Sequence, residues 1–190
     1  GTDFDRLSTN FAMDGLNYYV AARLTWNPET PVNAMVVDYC EKGFGSAANA
    51  VREYFTELEM ITSAIAATRR ESNNRCDPAP IYFTPQRLAV LRGHLGRARD
   101  LAGTDKLVVK RIAFLAEALD FAEIEAPLFR ALQLAPQTKL TEEELETQRN
   151  LLARRMALCE DRCDSWAVDV AVLSTGQKWF EDHLFPQPEI

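Results

Sequence analysis

The chain has 190 residues, 47% of them hydrophobic and 26% charged, with 21 Lys and Arg against 28 Asp and Glu and a net charge of −7. A domain of this size buries roughly 70% of its unfolded surface and needs no metal or disulfide to hold its core. Its acidic balance has the wrong sign for broad contact with phosphate backbones or anionic lipid, and its apolar runs fall far short of the roughly 20 residues that cross a bilayer, so neither nucleic acid nor membrane is an expected partner.

Asp14 can cap a first helix that carries Leu16, Tyr19, Val20 and Leu24. Tyr18, Ala21, Ala22 and Trp26 leave that helix little polar face beyond Asn17, Arg23 and Thr25. A helix apolar nearly all round needs cover on both sides. The rest of the chain supplies one side; the other calls for a second copy of the chain or for a preceding domain. The opening at Gly1 rather than Met reads as a cleavage scar, with the expectation that the chain is a module of a longer protein.

Thr30 and Pro31 open the next helix, which carries Val32, Met35, Val36, Tyr39 and Cys40 and is expected to end at Gly43 and Gly45. A third, from about Ser46 to Arg70, has the stripe Val51, Tyr54, Phe55, Leu58, Ile61 and Ile65. Asn73 to Phe83, with prolines at 78 and 80, predicts an extended crossing loop that divides the chain. Thr84 and Pro85 then start a helix that Gly103 halts, and Thr104 caps its antiparallel neighbour, which is expected to kink or break near Pro127.

Thr141 and Glu144 form a capping box for the longest helix, expected to reach Leu173, with a last short piece over Lys178 to Leu184. Its apolar series Leu152, Met156, Cys159, Cys163, Trp166, Val170 and Leu173 keeps the three-four spacing of one helix face. Cys159 and Cys163 are accordingly read as buried thiols; side chains four apart on a helix stand too far from each other for an unstrained disulfide. The pattern as a whole predicts an all-α bundle of about six to seven helices, with no alternation long enough to argue a sheet.

The run Asn17-Tyr18-Tyr19-Val20-Ala21-Ala22-Arg23-Leu24-Thr25-Trp26-Asn27-Pro28, followed by Asp38-Tyr39-Cys40 and Phe44-Gly45-Ser46-Ala47-Ala48, resembles the C-terminal part of an uncharacterised bacterial family of glycoside-hydrolase-like proteins related to α-glucuronidases and hexosaminidases. The resemblance covers about Leu7 to Glu59 and implies a (β/α)8 barrel upstream, whose catalytic groups sit at the carboxyl ends of strands absent from this chain. It implies that residues 1–30 are a terminal loop and helix derived from the barrel. Residues 31–190 are then a helical C-terminal module, with a subdivision at 73–83. The partners it suggests are the upstream barrel, a second copy of the chain and a glycan, and the compartment it suggests is secreted or periplasmic.

No catalytic residue, cofactor or metal ligand is assigned. Glu142, Glu143, Glu144 and Glu146 crowd one helix start, where negative charge complements the backbone dipole, and are read as a solvated cap. Asp3, Asp5 and Asp14 lie nearest the implied barrel mouth. The candidate substrate-binding set is Asp14, Asn17, Tyr18 and Trp26, and the candidate interface is Tyr19, Trp26 and Trp179. The tryptophans are read first as core residues and second as platforms for a sugar face. His94 and His183 stand apart from any Asp or Cys at ligand spacing. Arg69, Arg70, Arg154 and Arg155 are read as solvated helix faces.

Overall fold

The computed structural model describes residues 11–72, 79–134, 140–165 and 167–185. Every regular element among them is helical: α1 (Phe11–Trp26), α2 (Val32–Phe44), a 3-10 turn at Gly45–Ala47, α3 (Ala48–Ser72), the single turn α4 (Ala79–Tyr82), α5 (Pro85–Ala102), α6 (Lys106–Leu134), α7 (Glu142–Asp161) and α8 (Val170–Leu184). The all-α bundle expected from the sequence is the fold observed.

Local chemistry sets most of the boundaries. The Thr84 hydroxyl accepts from the Arg87 amide at 3.3 Å with Pro85 at the first helical position, which suits a residue without an N–H. At Thr141 the capping box is complete: the Glu144 amide donates to Thr141 Oγ1 at 3.2 Å, and the Thr141 amide donates to Glu144 Oε2 at 2.8 Å. The Thr141 amide, and then the Thr141 hydroxyl, which also donates to Glu144 Oε2, hold the Glu144 carboxyl below its ordinary range. Gly45 and Gly103 end α2 and α5 at φ of 52° and 53°, a conformation that L side chains rarely adopt.

Other boundaries differ from the sequence reading. Asp14 lies inside α1, which is already helical at Phe11. The residue before α2 is Pro31, with no side-chain cap bond, in place of Thr30, and α2 runs through Gly43 to Phe44. The start of α6 is capped by Asp105, whose Oδ1 accepts from Leu107 and Val108 at 3.0 and 3.1 Å; Thr104 is one residue too early. Ala79–Tyr82 forms a helical turn where an extended loop was expected, and residues 73–78 lie outside the described residues.

Pro127 does not break α6. A proline inside a helix costs about 3 kcal/mol. Ile124, Leu128 and Ala131 bury one face on both sides of it against Leu152, Phe180 and Leu184. Full burial of a large aliphatic side chain contributes about 1.5–3 kcal/mol, so Ile124 and Leu128 together offset the lost bond.

The long C-terminal helix expected to reach Leu173 is two helices. The polar run Asp161-Arg162-Cys163-Asp164-Ser165 ends α7, and Arg162 leaves helical geometry at φ −109°. Ser165 Oγ donates to Glu117 Oε2 at 2.5 Å and accepts from the Ala167 amide at 3.0 Å, which turns the chain back toward α6. Cys159 is buried as expected, but Cys163 falls in this turn and is exposed. Ser174 to Gly176, expected as an interruption, lie inside α8. Trp166 and Cys76 lie outside the described residues.

Three buried clusters hold the helices together. The largest joins Leu16 of α1 to Cys40 and Phe44 of α2, the stripe of α3, Leu88 to Ala102 of α5 and Val108 to Leu119 of α6. The second gathers Ala12, Ala118, Phe121, Cys159, Ala167 and Val168. The third seats α8 on α6 and α7. Helices α5 and α6 run antiparallel as predicted, because the short turn at Gly103 joins one end while Arg130 Nη2 of α6 donates to the Phe83 carbonyl at the other, at 3.0 Å.

Tyr54 is fully buried at 0% exposure, and its hydroxyl has no hydrogen-bond partner among the described residues. Burial pushes its ionisation upward. Tyr54→Phe is expected to raise the unfolding free energy by about 1 kcal/mol, since a buried polar atom without a partner costs that much or more. Urea unfolding measures it, and a loss of stability would mean that the hydroxyl is bonded.

Candidate functional site

The residues expected to bind or dock do not converge. Asp14, Asn17 and Tyr18 lie within one turn of α1, whereas Trp26 stands two turns beyond Tyr18, about 12 Å along the axis. Tyr18 stacks on Phe11 with ring centroids 5.6 Å apart. Trp26 is 92% exposed, so the core role expected of it is wrong: it closes the last turn of α1 with nothing packed over it among the described residues.

Trp179 is also largely outside the core, at 45% exposure. It rests in α8 against Phe180 at 5.3 Å, Phe129 at 6.1 Å and the His183 ring at 4.6 Å. Only Ala12 and Leu16 of α1 are buried; Phe11, at the opposite end of α1 from Trp26, is 43% exposed, and Val32 of α2 is exposed as well. Asp3 and Asp5 lie outside the described residues.

Tyr19 faces the other way, into a groove between α1, α2 and α6 of about 620 Å³. Its hydroxyl donates to Asp38 Oδ2 at 2.9 Å, and Lys42 Nζ meets Asp38 Oδ1 at 2.6 Å. The Lys42 ammonium and then the Tyr19 hydroxyl hold the Asp38 carboxyl below its ordinary value, and the bond to Asp38 in turn raises the Tyr19 hydroxyl. Arg23 lies over the Tyr19 ring at 5.8 Å.

Tyr39 forms the back of the groove, 5.2 Å from the Tyr19 ring and 6.0 Å from Phe44. Phe114 and Leu115 of α6 form the facing wall, with Lys110 and Arg111 above them. Arg111 Nη1 donates to the Gly43 carbonyl at 2.7 Å, which fixes α6 to the last turn of α2. Beneath the groove Cys40 is buried in the core, and burial pushes its thiol up to about 11, so it is inert at ordinary pH.

His94 Nδ1 lies 3.2 Å from Glu53 Oε2, and Arg97 bonds both groups in an exposed cluster. One further departure concerns charge. Arg155 is no solvated face residue, being 2% exposed. Its Nε and Nη2 donate to Glu125 Oε1 at 3.0 and 2.8 Å, and Nη2 also reaches the Leu173 carbonyl at 2.5 Å. The side chains of Arg69 and Arg70 lie outside the described residues.

Of the four exposed acids at the α7 start, Glu144 caps the helix through Thr141 and Glu146 pairs with Arg149 at 3.1 Å. Among the described residues no cluster of His, Cys, Asp or Glu could hold a metal ion, and no helix is long and apolar enough to cross a membrane. The described residues form a helical bundle with an aromatic, cation-rimmed groove and an exposed tryptophan at the end of α1.

Residues 3–56 match the family model of a domain of unknown function (DUF4838). The match takes in α1, α2 and the start of α3, and so the side of the groove formed by Tyr19, Asp38, Tyr39, Lys42, Gly43 and Phe44. No curated protein and no solved structure matches the chain.

Proposed function

We propose that this chain is a non-catalytic helical module of a glycoside-hydrolase-like protein, packed through α1 against the domain that precedes it in the same polypeptide. The exposed end of α1 carries the reading: Trp26, at 92% exposure, presents an aromatic surface of the kind that marks a contact. Aromatic side chains supply large contact area with few rotamers to freeze, and they dominate docking energetics.

The test uses 5-fluorotryptophan labelling and fluorine NMR, with the Trp26 resonance assigned through Trp26→Phe and its exposure read from a soluble paramagnetic reagent. Trp26 is expected to be accessible in residues 1–190 and protected in the full open reading frame that contains them. Equal accessibility in both, or a reading frame that adds no upstream domain, overturns the proposal. Protection that rises with the concentration of residues 1–190 makes the partner a second copy. Protection that appears only with added oligosaccharide makes α1 a glycan platform.

A further inference from the structure

The groove between α1, α2 and α6 carries chemistry that docking through Trp26 does not use. Three cations and one carboxylate line it, in a chain whose net charge is −7. Asp38 is already occupied by Lys42 and the Tyr19 hydroxyl. That leaves Lys110, with no ion-pair partner among the described residues, and Arg111, whose hydrogen bond goes to the neutral Gly43 carbonyl. A concave site with unneutralised charge of one sign above apolar walls concentrates counter-charge. Those walls are aromatic and aliphatic, and the volume of about 620 Å³ suits a small organic molecule.

We propose that this groove binds a small organic carboxylate with an aromatic body, the carboxylate meeting Lys110 and Arg111 and the ring lying against Phe114 and Tyr39. The guanidinium is pre-positioned: its bond to the Gly43 carbonyl fixes the head, so its other N–H groups are presented without the ordering cost of a free arginine. The ring completes recognition, because exposed cations alone hold an anion weakly in water. The proposal does not depend on what covers Trp26.

The probe is 4-phenylbutyrate, followed by backbone amide shifts of the whole chain, against 4-phenylbutylamine as its cationic counterpart and inorganic phosphate as a head without a ring. Saturable shifts are expected at Gly43, Phe44 and Lys110 to Leu115 with phenylbutyrate only. Lys110→Glu, on an exposed side chain whose change leaves the fold intact, is expected to weaken binding roughly tenfold, the scale of reversing one solvent-exposed charge. Equal binding of the amine, equal shifts from phosphate alone, no saturable shift, or unchanged affinity in Lys110→Glu would each overturn the proposal.

Discussion

Arg155→Met is expected to lower the unfolding free energy by about 3 kcal/mol, the lower end of the cost of removing one partner of a buried ion pair. Arg155 reaches from α7 to Glu125 on α6 and to the Leu173 carbonyl on α8, with its guanidinium carbon 5.3 Å from the Phe180 ring centroid. Methionine fills much of the volume but leaves the Glu125 carboxylate facing an apolar wall and the carbonyl without a donor. Two features keep the loss at the lower end. Glu125 retains 22% side-chain exposure, and Arg155 Nη1 has no hydrogen-bond partner among the described residues.

Urea unfolding measures the change, and a melting temperature lower by roughly 6–12 °C accompanies it. Adding Glu125→Leu to Arg155→Met is expected to recover most of the loss, because the stranded charge is removed with its partner. An Arg155→Met chain as stable as the parent would show that the pair only breaks even against its desolvation.

Phe121→Ala is expected to cost about 4 kcal/mol, within the range for truncating a buried aromatic. Phe121 is 1% exposed and packs where Ala12, Ala118, Cys159, Ala167 and Val168 meet. Three of the elements in contact there are small residues with little side chain to move into a void, so the site collapses poorly. The Ala12 amide donates to the Ala167 carbonyl at 2.9 Å beside this ring. Hydrogen exchange at Ala12 is therefore expected to accelerate more than exchange in α3 and α5, whose core lies in the other cluster. Uniform acceleration across all helices would show that the second cluster unfolds only with the whole.

The helices were legible because their signals are local. A threonine cap, a proline after it and a stripe at three-four spacing act within one or two turns, which is why Thr84, Thr141, Gly45 and Gly103 fall where the sequence places them. The cap of α6 slipped by one residue because Thr104 and Asp105 are both good cap formers and only the geometry of the preceding turn chooses between them. The run from Thr141 to Leu173 misled because its apolar spacing continues unbroken through Cys163. The helix stops at Asp161, and what holds the chain in a turn there is a bond from Ser165 to Glu117, forty-eight residues away.

Distance along the chain also hid the charged features. Nothing near Arg155 announces Glu125, and the groove needs Asp38 and Lys42 from α2 beside Lys110 and Arg111 from α6. The i,i+4 pair Asp38 and Lys42 was the one local hint, and alone it reads as an ordinary surface pair. Trp26 shows the converse. The habit of placing tryptophan in cores pointed the wrong way, because Trp26 at the last turn of α1 is exposed.

The hydrogen bond between Ala12 and Ala167 closes a span of nearly the whole described chain. During synthesis α1 emerges early, yet its final clasp does not exist until residue 167 has left the ribosome, roughly 8–30 s later at ordinary elongation rates. Throughout that interval α1 can settle on α2 and α6 but lacks the strap that the Ala167 carbonyl supplies, so its docking is completed only late in synthesis.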